Sequence, residues 1–283
     1  MKGWDYFSKD SFSISVEGVE FCPVDFEIDD ENKVNIQPPD IEWAERLPFK
    51  WSKGLMSQEE VYFAFRKGLY INDSQQWFSI SKKSKKRLML PARAILQEEK
   101  LGLNLHSLRK SWIWKAQPAG SRFKEAAECS AKNRLAIAFQ IEGQLLSPET
   151  IYACYLVFKL PANDSVFEGI VMTSFETPSS SKEPATIERH IYLLTPPNTP
   201  IIDQSYGQIP SRTRKIKGHP KLRKDGWMEI QVWEFVLGSS SNYFWMNGHL
   251  KSLNKWKFTG LLVQGIELRP AKVSWNYSNS VLL

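Results

Sequence analysis

The chain has 283 residues, 42% of them hydrophobic, which suffices for one large folded domain and argues against a wholly disordered protein. Its net charge of +6 is uneven: residues 1–50 hold 12 Asp and Glu against 5 Lys and Arg, so the remainder carries +13. No stretch reaches the roughly 18 apolar residues of a membrane-spanning helix, and three widely spaced cysteines, Cys22, Cys129 and Cys154, argue against a disulfide framework or a zinc site and fit a reducing compartment.

Residues 1–54 read as an acidic, loosely ordered leader, with Pro38-Pro39 stopping any regular element. Ser57 followed by Glu60 is a capping-box pattern that predicts a helix over residues 57–67, ended by Gly68. Leu69–Ile71 and Gln76–Ile80 are expected to form a strand pair around the turn residues Asn72, Asp73 and Ser74. The basic run Lys82–Arg87 reads either as a solvated hairpin turn or as a nuclear-localisation or phosphate-binding patch. Residues 121–131 suit a short helix, with Phe123, Ala126, Ala127 and Ser130 on a rough three-to-four spacing. In Leu135–Glu142 the apolar Leu135, Ile137, Phe139 and Ile141 alternate with Ala136, Ala138, Gln140 and Glu142, the mark of a half-buried antiparallel strand. Ile151–Leu160 is more continuously apolar and belongs deeper in the core.

Residues 161–200 are polar and proline-rich and read as loops, with one short strand at His190–Leu194. A second basic run spans Arg212–Arg223. Over Trp227–Val236 strict alternation places Met228, Ile230, Val232 and Val236 on one face with Glu234, and Trp227, Gln231, Trp233 and Phe235 on the other. A carboxylate in an apolar row must be satisfied, or must lie at a bulge or strand end. Leu261–Leu268 is the last core strand, and residues 273–283 form a tail. Many short strands and one or two short helices predict an all-β protein, an antiparallel jelly-roll-like sandwich in a single domain over residues 55–272.

The sequence carries no catalytic pattern. His106, His190, His219 and His249 form no H-E-x-x-H pair, and neither a nucleophile elbow nor a phosphate-binding loop is present. Glu229 and Glu234 are the one carboxylate pair that invites glycoside chemistry. Strand alternation sets them on opposite faces, where they cannot flank one bond. The expectation is a protein that is not an enzyme and uses no cofactor or metal.

Three strings, in order, carry a resemblance: Ile151-Tyr-Ala-Cys-Tyr-Leu-Val-Phe-Lys-Leu160, Arg223-Lys-Asp-Gly-Trp-Met-Glu-Ile230 and Gly260-Leu-Leu-Val-Gln-Gly-Ile-Glu-Leu-Arg-Pro270. Leu88-Met-Leu-Pro-Ala-Arg-Ala-Ile95, Ser111-Trp-Ile-Trp114 and Glu142-Gly143 add to them. Together they resemble the Nictaba-like lectins, the phloem protein two family of plants, over residues 68 to 270. Residues 1–67 lack the leucine-rich F-box pattern that some members place ahead of this domain.

The resemblance implies a sugar-binding β-sandwich for N-acetylglucosamine oligomers or N-glycans. Family sugar binding is associated with two Trp in the opening region. The second corresponds to Trp112; the first falls near Glu98 or Glu99, in Gln97-Glu-Glu-Lys100, where no aromatic stands. Losing that platform would abolish or redirect sugar recognition. The candidate carbohydrate-binding residues are Trp112, Trp114, Trp227 and Glu234, since a lectin needs an aromatic plane and a few fixed polar groups. Two other readings stand beside it: an RNA binder, from the basic body and abundant aromatics, and a protein-interaction module on a degenerate lectin fold. The expected partners are glycans or glycoproteins, RNA as an alternative, and a second copy of the chain, but no membrane. The expected location is cytoplasmic, with the nucleus as a further site.

Overall fold

The protein is described from a computed structural model that covers residues 58–71, 75–96, 112–130, 132, 134–176, 186–195, 219–238, 243–253 and 255–271. The acidic leader, the region of the missing Trp around Glu99, residues 212–218 of the second basic run and residues 273–283 of the tail lie outside the described residues.

Helix α1 (Gln58–Lys67) opens the described chain. The strands of the first part are β1 (Leu69–Ile71), β2 (Gln76–Ile80), β3 (Lys86–Pro91), β4 (Trp112–Ala116) and β5 (Glu125–Cys129), with the one-turn helix α2 (Ala92–Ile95) after β3. Then follow β6 (Arg134–Glu142), β7 (Thr150–Lys159), β8 (Ile170–Glu176), β9 (Thr186–Tyr192), β10 (Lys221–Leu222), β11 (Met228–Leu237), β12 (Tyr243–Ser252) and β13 (Leu262–Pro270). The large sheet runs β1-β2-β3-β13-β7-β11-β10, with β5 joining β13 and β4 outside β5. The small sheet runs β6-β12-β8-β9. Every strand pairing is antiparallel, so the fold is the expected antiparallel β-sandwich.

The three strings of the resemblance become adjacent strands at the centre of the large sheet. β7 lies between β13 and β11, with Tyr155 opposite Glu267 on one side and Gln231 on the other. The inner face of these strands supplies Tyr152, Cys154, Leu156, Phe158, Ile230, Val232, Ile266 and Leu268 to the core. The small sheet answers with Leu135, Ile137, Phe139, Val171, Phe175, Phe244, Met246 and Leu250. Aromatic rings bridge the two: Trp233 and Phe235 of β11 stack on Phe175 and Phe244 at centroid separations of 5.6 Å and 4.1 Å, respectively. Cys129 and Cys154 are buried thiols in this interior, and burial pushes the Cys154 thiol up. Tyr152 is also fully buried, and its hydroxyl donates to the Lys86 carbonyl at 2.9 Å and accepts from the Ser147 N–H at 2.8 Å. Burial pushes that phenol up to about 12.

Four expectations need correction. Residues 125–129 are strand β5, not helix: alanine is the best helix former, but intrinsic propensity is a weak determinant, and pairing with both β4 and β13 overrides it. The stretch 161–200 holds two strands of the small sheet, β8 and β9, where one short strand at His190–Leu194 is expected; β9 overlaps that strand, and β8 is the addition. Strand β12, at the heart of that sheet, was not anticipated at all. Its inner row, Phe244, Met246 and Leu250, is broken by Gly248. That glycine is needed because a Cβ there would lie 2.2 Å from the ring of Phe175.

The fourth correction concerns β11. Its register with β7 shifts between Gln231 and Trp233, so Val232 is the extra residue of a β-bulge. Ile230, Val232, Trp233, Phe235 and Leu237 therefore all enter the core. Glu234 moves to the outer face with Glu229 and Gln231, opposite Ala153, Val157 and Tyr155. The two glutamates thus share a face, and the alternation that set them apart fails here. The bulge carbonyl of Val232 accepts from the buried Thr173 hydroxyl of β8 at 3.2 Å. Thr173→Val is expected to leave that carbonyl unpaired and to cost about 1–3 kcal/mol. Urea denaturation reads this, and an unchanged midpoint would mean that the hydroxyl does not hold the bulge.

Candidate functional site

The motif residues meet on the outer face of the large sheet. β10 and the turn into β11 place Arg223 there, with Gly226 at φ +77 closing the turn on the Arg223 carbonyl. Arg223 Nε donates to Asp225 at 3.1 Å, and its Nη1 donates to Glu229 at 3.2 Å and to Glu267 at 2.7 Å. Asp225 also accepts from the Trp227 N–H at 3.1 Å. Arg122, from the segment before β5, donates to Glu267 at 3.3 Å, and its guanidinium lies 4.0 Å from the centre of the Trp77 ring. Arg269 of β13 bonds Glu229, approaches Glu267 at 3.5 Å and stacks on Tyr155 at 3.9 Å.

Three guanidiniums and three carboxylates thus form one neutral network over β13, β7 and β11. Its centre is Glu267, with 3% of its surface exposed. Burial works against its charge, but the guanidiniums of Arg269, Arg122 and Arg223 outweigh burial and hold the carboxyl well below the usual carboxylate range. Around the network Trp77, Met89, Phe123, Ala126, Val157 and Trp227 make a second, smaller apolar cluster. This cluster and the ionic network together cover the outer face of the central strands.

The structure separates the four candidate residues. Trp227 lies in the outer cluster, wholly closed to solvent. Its indole N–H donates to the Ala119 carbonyl at 3.2 Å, and the Lys159 ammonium sits 4.7 Å from its ring centre. A ring so enclosed offers no plane to a ligand; it supports the turn that carries Arg223. Glu234 lies on the same face across the bulge, buried, and accepts from Gln231 at 3.2 Å with Arg189 of β9 at 3.9 Å. Trp112 and Trp114 lie on the opposite, inner face of β4, beside Cys129 and Ala127 of β5, half-buried against the main core. The Arg93 guanidinium of α2 lies 4.1 Å from the Trp114 ring centre. Arg93 also donates twice to Glu125, at 2.8 Å and 2.6 Å. The four residues are therefore not one site: Trp112 and Trp114 stand together on β4, whereas Trp227 and Glu234 are buried on the outer face of the large sheet.

Sequence reasoning missed Arg122, Tyr155, Glu267 and Arg269 as a functional grouping. Glu267 and Arg269 belong to the Gly260–Pro270 motif, but only the strand order β13-β7-β11 reveals that they face Tyr155 and Glu229. With Glu229 and Glu234 on one face, the geometric ground against a paired-carboxylate reaction falls. Each carboxylate is nonetheless engaged as an acceptor, Glu229 from Arg223 and Arg269, Glu234 from Gln231. Among the described residues no three His, Cys, Asp or Glu side chains are grouped to hold a metal ion. No helix among them is long and apolar enough to cross a membrane.

Fold and motifs together define the class: an antiparallel two-sheet sandwich whose central strands are locked by an ionic network. The model of the phloem protein 2 family matches residues 85–270, and the chain belongs to that family. It is similar to F-box protein SKIP3 of Arabidopsis thaliana, 29% identical over 254 residues, covering 84% of this chain and 78% of that protein. F-box protein PP2-B13 of the same plant is 29% identical over 255 residues, covering 82% of this chain and 86% of its own length. F-box protein VBF, also from Arabidopsis thaliana, is 27% identical over 254 residues with the same two coverages, 82% and 86%. Among solved structures the chain is similar to the CBM22-1 xylan-binding domain from Paenibacillus barcinonensis, at 10% identity and a TM-score of 0.31, over 58% of this chain and 82% of that domain.

Proposed function

We propose that this protein is a non-catalytic carbohydrate-binding protein that takes N-acetylglucosamine oligomers or N-glycan cores, free or on glycoproteins. The observation that carries this reading is the pair Trp112 and Trp114, half-buried on one face of β4 next to the solvent-exposed Arg93–Glu125 pair, whose groups remain accessible to a ligand. A sugar offers an apolar C–H face ringed by hydroxyls, so a binding place needs an aromatic plane beside immobile donors and acceptors. Trp114 is clamped by Arg93 and acts as a positioning residue; Trp112 supplies the plane. Membership of the phloem protein 2 family supports the same reading. A reducing location, cytoplasmic or nuclear, belongs to the proposal and suits thiols kept as such in the core.

A glycan array of the full chain and of Trp112→Ala tests it. Wild type is expected to bind N-acetylglucosamine-containing glycans, and the variant to lose at least about tenfold while still folded at the assay temperature, its melting temperature lowered because Trp112 packs on the core. Binding to a neutral sugar should change little from about 50 to about 200 mM salt, whereas RNA binding would fall steeply over that range. A well-folded wild type that binds no glycan ends this reading. A second reading, a protein-interaction module, draws on the F-box names of the relatives. Capture of a protein partner that free glycan does not displace would favour it.

A further inference from the structure

We infer that the outer face of the small sheet is a second glycan-binding platform, where Trp245 and Tyr243 stack on sugar rings and Asn247, Glu176 and Gln140 bond their hydroxyls. The central strand β12 sends Phe244, Met246 and Leu250 inward and Tyr243, Trp245, Asn247, His249 and Lys251 outward. Tyr243 is 61% exposed and Trp245 40% exposed. They stand two residues apart on one face, about 7 Å along the strand, so one glycan chain can lie across both. The fold uses neither ring for its core.

The flanking strands complete the platform. Glu142 and Gln140 of β6 lie opposite Tyr243 and Trp245, and the small Ala138, itself buried, lies opposite Asn247. Asn247 donates to Glu176 of β8 at 3.0 Å, which fixes both groups and leaves the remaining amide and carboxylate positions for a ligand. His249 accepts at Nδ1 from Arg134 at 3.0 Å. Burial, with the positive charges of Arg134 and Lys251, lowers its pKa and keeps it neutral. Since a guanidinium only donates, the His249 proton resides on Nε2, which is a further donor.

The chemistry of this face selects a neutral polyhydroxylated occupant. Glu142, Glu176 and Glu188 offset Arg134 and Lys251 on it, so it lacks the positive excess that a phosphate backbone requires. β12 is paired on both sides, so its backbone has no free edge to which a peptide could add as a strand. The polar groups interleaved with the rings would be desolvated without partners under a purely apolar protein surface, whereas hydroxyls satisfy them.

The full chain, Trp245→Ala, Tyr243→Ala and Trp112→Ala are compared on an array of neutral oligosaccharides, with melting temperatures measured alongside. Trp245→Ala and Tyr243→Ala are expected to weaken binding of at least one oligosaccharide by about tenfold each, at unchanged melting temperature, and Trp112→Ala to leave that component intact. Trp245→Phe should recover part of the loss. If Trp112→Ala alone abolishes all binding, the β4 site stands and this platform falls. If Trp245→Ala and Tyr243→Ala leave every interaction unchanged, the platform likewise falls. If wild type binds no glycan, both fall together.

Discussion

Glu267→Gln is expected to destabilise the fold by about 3–5 kcal/mol, because it leaves buried guanidiniums without their shared counter-charge. The glutamine keeps the shape, but Arg122 and Arg223, with side chains 5% and 10% exposed, would both lose the charge of the carboxylate they share, and Arg223 would keep Asp225 and Glu229. The midpoint of urea denaturation reads the loss, and a change under about 1 kcal/mol would sink the idea that this network locks the central strands. The pH dependence gives an independent reading. The folded carboxyl titrates well below the unfolded value of about 4.3, so its stabilisation is fully present above that pH. It is lost as pH falls toward the folded pKa. Wild type should therefore lose stability below about pH 4 more steeply than Glu267→Gln. Parallel profiles would place the acid sensitivity elsewhere.

Trp233→Ala is the other large effect, about 3–5 kcal/mol, from lost burial and the cavity left behind. The ring is buried, lies 5.5 Å from Phe235 and 5.6 Å from Phe175, and reaches Phe244 at 6.4 Å. It thus touches both sheets from one position. Thermal unfolding checks it, with Trp233→Phe expected to lose much less. Equal losses for both variants would mean that indole size, rather than stacking, sets the cost. Trp233 takes this place only because of the bulge at Val232; without it the ring would face outward and Glu234 would be driven into the core.

Local pattern was enough wherever one physical constraint dominated. Leu135–Ile141 alternates because one face of β6 is wet and the other dry, and β7 reads as continuously apolar because it is covered on both faces. The turn signal at Asn72–Ser74 correctly announced the pairing of β1 with β2. The family strings were legible as strings because each is a short run within one strand or a strand with its adjoining turn. Pattern failed where a neighbour decided. Residues 125–129 have helix-compatible spacing but sit between two partner strands. Gly248 interrupts the row that would have announced β12, and it is glycine because Phe175, on β8, presses against it.

The candidate residues follow the same division. That Trp112 and Trp114 share a face could be read from their spacing, and β4 confirms it. That Trp227 is sealed by Ala119 and Lys159, and that Tyr243 and Trp245 stand in solvent, could not. By itself the sequence determined an all-β chain, its principal strands and its phloem protein 2 motifs, because hydrophobic period and turn chemistry act within a few residues. Only the tertiary structure decided which motif charges meet, which glutamates share a face and which aromatics remain open. Those outcomes depend on strand order and on a single extra residue at Val232, and pairings between segments as far apart as Arg122 and Glu267 leave no mark on local periodicity.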